Sequence, residues 1–241
     1  MGTSASAKER IESVLDAGSF MEMGEKILAR NTDFTQGGKR EYSDGVLTGY
    51  GTVEGRPIYI YSQDPDVLGG SLGEMHAEKI LRVYDMALKT GAPVIALLDS
   101  TGLRIREGAD ALDAFGRLYR AQTKAKGRIP QIAGVFNRCG GGSALIASLC
   151  DFIFTENNAE LFINPPAVRT TDARRCDMAA VLSDNTGGQR ISSGTGTEEE
   201  ICGMIRRLIG YLPLSNEDLI PQAATNDDLN RPAAGVGIGA A

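Results

Sequence analysis

The chain has 241 residues, 42% of them hydrophobic, enough to bury the core of one domain or a domain and a half, which excludes a disordered tail. Its formal charge of −6 excludes a general nucleic-acid binder, because such binding draws on a basic field to release counterions. No run reaches the roughly 18 apolar residues of a membrane span, and the polar start MGTSASAKERIESVLDAGSF lacks a signal-peptide apolar segment, so the expected location is cytoplasmic with no direct membrane span.

In chain order, residues 6–16, SAKERIESVLD, carry apolar spacing that predicts an amphipathic helix, with Gly18 placed to follow it. VLTGYGTVEGRPIYIYSQD reads as two strands joined by a turn at Glu54-Gly55. LGEMHAEKILRVYDMALKTG repeats apolar residues at helical spacing and stops at Gly91, and APVIALLDS is a short apolar run suited to a buried strand. The cycle then repeats. STGLRIREG is a polar glycine loop, a helix is predicted over residues 109–126, and PQIAGVF is a second buried strand. The glycine run NRCGGGS follows it, then the helix-like SALIASL and a third strand, DFIF. This alternation predicts an α/β architecture. The pattern weakens after residue 163 until TEEEICGMIRRLIGYLP, a terminal helix expected to close at Gly210 and Pro213. Residues 1–220 are expected to form the domain and residues 221–241 a linker-like tail.

The four cysteines, Cys139, Cys150, Cys176 and Cys202, form no C-x-x-C pair and have no histidine nearby, so they read as reduced thiols, with no metal site and no disulfide framework. Arg117, Arg120, Lys124, Lys126 and Arg128 cluster on one helical stretch, as either a solvated face or a ligand or partner patch. The terminal GVGIG follows no strand and opens no helix, so it is not a dinucleotide fingerprint, and no P-loop motif occurs.

Two glycine loops remain, STGLR after one buried strand and CGGGS after the next. In an α/β sheet ligands bind at the carboxyl ends of strands. Each loop leads into a helix whose first N–H groups lack intrahelical partners. One N–H from each loop converging on a carbonyl oxygen would stabilise an oxyanion or enolate without a side chain. The alternative is a pair of tight turns where glycine permits close packing. Ser143 as a nucleophile would need a base; the only histidine is His76, inside a predicted helix, in a structural setting.

Together, SAKERI, DGVLTGYGTVEGRPIYIYSQD, VLGGSLGEMHAEKI, APVIALLDSTGLRIREG, IPQIAGVFNRCGGGSALIASLCDFIF, LFINPPAV, LIGYLP and DDLNR resemble the carboxyltransferase subunits of biotin-dependent acyl-CoA carboxylases and decarboxylases, in the crotonase-like superfamily. The resemblance covers most of the chain and implies a crotonase/ClpP-like spiral of stacked β-β-α turns, in the amino-terminal, acyl-CoA-binding half. It implies a CoA thioester as substrate, biotin on a biotin carboxyl carrier protein as cofactor, and a separate carboxyl-terminal-type carboxyltransferase subunit in a hetero-oligomer. The chain ends about where that second half would begin, so the half is expected on a separate chain unless this sequence is a fragment.

Matched residue by residue, the resemblance makes the N–H groups of Leu103 and Gly142 the two oxyanion donors, with Gly102 and Gly141 beside them. Gly69, Gly70 and Ser71 are expected to shape the site wall. Thr101 and Leu103 stand where the family often has glycine and alanine, which implies a narrower acyl pocket. Leu145 occupies the position of the glutamate of hydratases, and Asn164 that of the histidine of the related proteases, which argues against both chemistries. A non-catalytic acyl-CoA-binding or assembly subunit and a malonate-decarboxylase-type component are the other readings.

Overall fold

The first helix, α1 (Ala7–Val14), starts where the Ser6 side chain accepts from the Glu9 N–H and the Glu9 carboxylate accepts from the Ser6 N–H, a reciprocal cap. This is a computed structural model, and it describes residues 6–30, 43–163 and 192–221. Cys176, Asn164, DDLNR and all but the first residue of the expected tail lie outside the described residues.

β1 (Met21–Glu22) pairs antiparallel with β2 (Val46–Val53), which makes a hairpin with β3 (Arg56–Gln63). Glu54 and Gly55 both take positive φ (51° and 74°), as a two-residue turn that matches strand twist requires. α2 (Glu74–Thr90) ends at Gly91 in the left-handed conformation, φ 65°. Next come β4 (Val94–Ser100), α3 (Ala109–Ala125), β5 (Gln131–Gly140), α4 (Gly142–Leu149), β6 (Phe152–Glu156), β7 (Glu160–Phe162), β8 (Gly194–Gly196) and α5 (Glu198–Tyr211). The sheet order is β1-β2-β3-β4-β5-β6-β8, parallel from β3 onward, and β7 pairs with β5 off this path.

The central strands are apolar on both faces, as a covered parallel sheet demands. Val94, Ala96 and Leu98 of β4 join the core beneath α2, α3 and α4. The alternate residues Ile95 and Leu97 meet α1 and α5 on the opposite face. α2 contributes Ala77, Ile80, Val83, Tyr84 and Ala87, one helical stripe, to the first core. Truncating a fully buried leucine such as Leu98 to alanine costs about 2–5 kcal/mol in such a setting.

Three details depart from the sequence-based expectations. β5 does not stop at Phe136 but continues through Asn137, Arg138 and Cys139 to Gly140. Asn137, at φ 43°, turns the strand: residues 132–135 pair with β6, while residues 138–140 pair with β7. Asparagine is among the few residues that tolerate this conformation, so periodicity alone gives no sign of it. α5 does not close at Gly210. It runs to Tyr211, with Leu212 as its cap and Pro213 just beyond. β1, β7 and β8, of two or three residues each, were not anticipated, because such short strands leave no periodic signal.

Candidate active site

The two glycine loops are neighbours because β4 and β5 are neighbours. Their ladder shifts register between Leu98 and Ser100, and Ser100 faces Cys139 just where both strands give way to loops. In the first loop, Gly102 takes φ 103°, and a Cβ there would lie 2.8 Å from the Gly140 carbonyl oxygen. Only glycine permits this approach. Leu72 donates to the Gly102 carbonyl (2.8 Å) and accepts from the Arg104 N–H (3.0 Å). Because the flanking residues serve Leu72, the Leu103 N–H turns away from it.

In the second loop, Gly141 sits at φ 59°, ψ −125°, a conformation essentially confined to glycine. Its N–H donates to the Phe162 carbonyl (2.8 Å) and its carbonyl accepts from Ala144 (3.1 Å). Gly142 is the first residue of α4, and its N–H carries the partial positive charge of a helix start. A Cβ there would lie 2.7 Å from Phe115 and 2.8 Å from the Tyr119 hydroxyl, which donates to the Gly142 carbonyl at 2.9 Å. Neither the Leu103 N–H nor the Gly142 N–H meets an acceptor among the described residues.

Gly69, Gly70 and Ser71 form the outer wall of the first loop. The Gly69 carbonyl accepts from the Thr101 N–H (3.1 Å) and hydroxyl (3.2 Å), and a Cβ on Gly70 would fall 2.2 Å from the Asp99 carbonyl. The Ser71 hydroxyl donates to Leu68 (2.7 Å) and accepts from Arg104 Nε (3.2 Å). Ser71 therefore serves the Arg104 anchor. A cleft of about 460 Å³ opens beside this wall, lined by Gly69, Thr101, Asn137, Arg138 and Glu160 among others.

Arg104 is a site residue that glycine spacing gave no reason to single out. Its buried guanidinium pairs with Asp44 and with Glu107 (3.0 Å) and donates to the Ser71 carbonyl (2.6 Å). Glu107 also accepts from the Glu74 N–H (2.6 Å), capping α2. One arginine thus ties the first loop to the starts of β2, α2 and α3. Its signal in the sequence was a charged pair, Arg104 and Glu107, inside a glycine loop. Tyr119, Phe115 and Ser100 left no such signal, because their roles depend on contacts distant in sequence.

His76 is fully buried. Its Nδ1–H donates to the Asp44 carbonyl (2.9 Å), and Nε2 accepts from the Gln63 amide (3.2 Å). Burial first, and then the neighbouring Arg104 charge, push its pKa down to about 3, so it is neutral and engaged at both nitrogens. Ser143 is buried with no histidine beside it, and burial raises the Cys139 thiol far above its ordinary range. Leu145 is partly exposed on α4. The basic residues of α3 and its following turn are exposed, with Arg117 paired to Glu78 and Lys126 to Asp151 (3.3 Å). The described cysteines, Cys139, Cys150 and Cys202, are free and buried. Among the described residues no group of His, Cys, Asp and Glu is placed to hold a metal ion, and no helix is long and apolar enough to cross a membrane.

Two glycine loops side by side at the carboxyl ends of adjacent parallel strands define an α/β protein whose candidate site lies at that edge of the sheet. Residues 3–236 match the model of the carboxyl transferase domain, and the chain belongs to that family. The propionyl-CoA carboxylase beta chain of Cereibacter sphaeroides is 40% identical over 230 residues, covering 93% of this chain and 45% of that one. The methylmalonyl-CoA decarboxylase subunit alpha of Veillonella parvula is 37% identical over 230 residues, with the same coverage of each chain. Among solved structures, transcarboxylase 12S, a hexamer described with methylmalonyl-CoA bound, superposes with a TM-score of 0.83 at 32% identity, over 92% of this chain and 44% of that one. A Pseudomonas malonate decarboxylase hetero-tetramer, TM-score 0.70 at 23% identity, shares the fold alone. The fold is the crotonase-like α/β fold of these carboxyltransferases, and the chain spans a little under half the length of the curated relatives it matches.

Proposed function

We propose that this chain supplies the acyl-CoA half of a biotin-dependent carboxyltransferase, with the thioester carbonyl held by the N–H groups of Leu103 and Gly142. The observation that carries this reading is that both groups lack an acceptor among the described residues, at two glycine loops that adjacent parallel strands bring side by side. When the bond between the α-carbon and a carboxyl group breaks, its electron pair moves into the thioester as an enolate. The two N–H groups meet the charge that develops on the oxygen. In the carboxylating direction the same enolate would form as the α-proton passes to biotin, which this reading makes the base. A preorganised donor of this kind is worth about 10²- to 10³-fold in turnover.

Biotin, on a carrier protein, supplies or takes up the carboxyl group. The buried polar groups near the two loops, Arg104, Asp44, Glu107 and His76, are committed to one another, which supports a biotin site in a complementary carboxyl-terminal-type half, within a hetero-oligomer. Gly102 and Gly141 let the thioester approach, and Gly69, Gly70 and Ser71 set the wall. Residues 1–220 are the working domain. The test is to mix the purified chain with that complementary half, free biotin and methylmalonyl-CoA. Carboxybiotin should form only when both halves are present. Transfer in no combination would leave a non-catalytic acyl-CoA-binding subunit instead.

A further inference from the structure

Ser143 is the second residue of α4, directly after Gly142, and its side chain is fully buried. A serine inside a helix ordinarily turns its hydroxyl to solvent or to a carbonyl one turn back. The Ser143 hydroxyl instead crosses to the Ser100 hydroxyl oxygen at 3.3 Å, 43 positions away in sequence. Ser100 is the last residue of β4, also buried, and lies where the β4–β5 ladder slips. The same Ser100 oxygen accepts from the Gly102 N–H at 3.1 Å. A continuous line of hydrogen bonds therefore runs from the residue after one proposed donor, Gly142, to the residue before the other, Leu103.

We propose that the Ser100–Ser143 pair is the bolt that holds the two backbone donors in register, which makes Ser143 and Ser100 positioning residues for the oxyanion site. This rests on the carboxyltransferase reading above. Parallel strands fix their loops only as far as the ladder continues, and here the ladder is irregular from Leu98 onward. Backbone donors must be placed within a few tenths of an ångström to favour the enolate over the ground state. A buried bond between the loops, shielded from water, supplies that constraint. It is also among the few polar contacts in this region that alanine removes without adding bulk or leaving a buried charge.

The test uses the full chain with propionyl-CoA carrying carbon-13 at the thioester carbonyl, read by isotope-edited infrared spectroscopy, beside transfer rates with the complementary half. In the wild-type protein the bound carbonyl should absorb at lower frequency than the free thioester. Ser143→Ala should lose part of that shift and lower kcat by about 3- to 10-fold, the worth of one hydrogen bond, with KM within about twofold. Ser100→Ala should do at least as much, and the double variant should be no worse than Ser100→Ala alone, since Ser143 acts through Ser100. A wild-type frequency and rate in Ser143→Ala, or fully additive losses in the double variant, would overturn the bolt. So would abolished transfer with an unchanged carbonyl frequency, which would make Ser143 a direct participant. An unshifted carbonyl in the wild-type protein would overturn the oxyanion site itself, and the bolt with it.

Discussion

Gly141 and Gly142 stand side by side, yet alanine fails at each for a different reason. At residue 141 there is open space for a Cβ, but φ is 59° and ψ −125°. Gly141→Ala should cost about 1–3 kcal/mol of backbone strain. At residue 142 the backbone is helical, but the Cβ meets Phe115 and the Tyr119 hydroxyl at 2.7 and 2.8 Å. Trimming Phe115 to leucine should therefore recover part of the stability lost in Gly142→Ala and none of that lost in Gly141→Ala, measured by urea denaturation. Equal recovery in both would contradict this division. The glycines of both loops were legible in the sequence because a run of residues with no side chain needs a reason. Ser71, Ser100 and Ser143 were not, since a serine's use depends on its partner. Ser71 stands in the proposed wall and also holds Arg104, a bond the sequence does not signal, and the Ser143 hydroxyl bonds to Ser100.

At the scale of elements, the first loop hangs from a buried ionic knot. Arg104 joins Asp44 before β2 to Glu107 before α3, and Glu107 caps α2. Arg104→Met should cost about 3–5 kcal/mol in denaturant unfolding, because it strands two buried carboxylates; a loss under about 1 kcal/mol would show that the knot does not brace the fold. His76, at the centre of this knot, gives a pH signature. Its folded pKa, about 3, lies below the ordinary 6.5, so the unfolded chain binds the extra proton in that window. The associated stability is full above pH 6.5 and is lost as pH falls, by about 1.4 kcal/mol for each unit. Burial pushes Asp44 the other way, so the informative comparison is with His76→Gln. The wild-type midpoint should fall more steeply between pH 6.5 and pH 4 than that of the variant, and parallel profiles would contradict the assignment. The order of helices and long strands was readable from their periodicity. The bend of β5 at Asn137 was not, since it rests on one backbone conformation and on a three-residue partner strand.

At the scale of the whole molecule, the alternation of strand and helix gave the α/β class, while the identity of the half rested on motifs spread along the chain. The chain spans a little under half of its curated relatives and carries the paired glycine loops. The proposed function turns on two backbone N–H groups, and no side chain, holding the thioester oxygen. Amide NMR of the full chain during titration with propionyl-CoA tests it most directly. Hydrogen bonding to the thioester oxygen should move the amide protons of Leu103 and Gly142 downfield together, in proportion to ligand bound. Saturable binding that leaves both amides in place would contradict the claim.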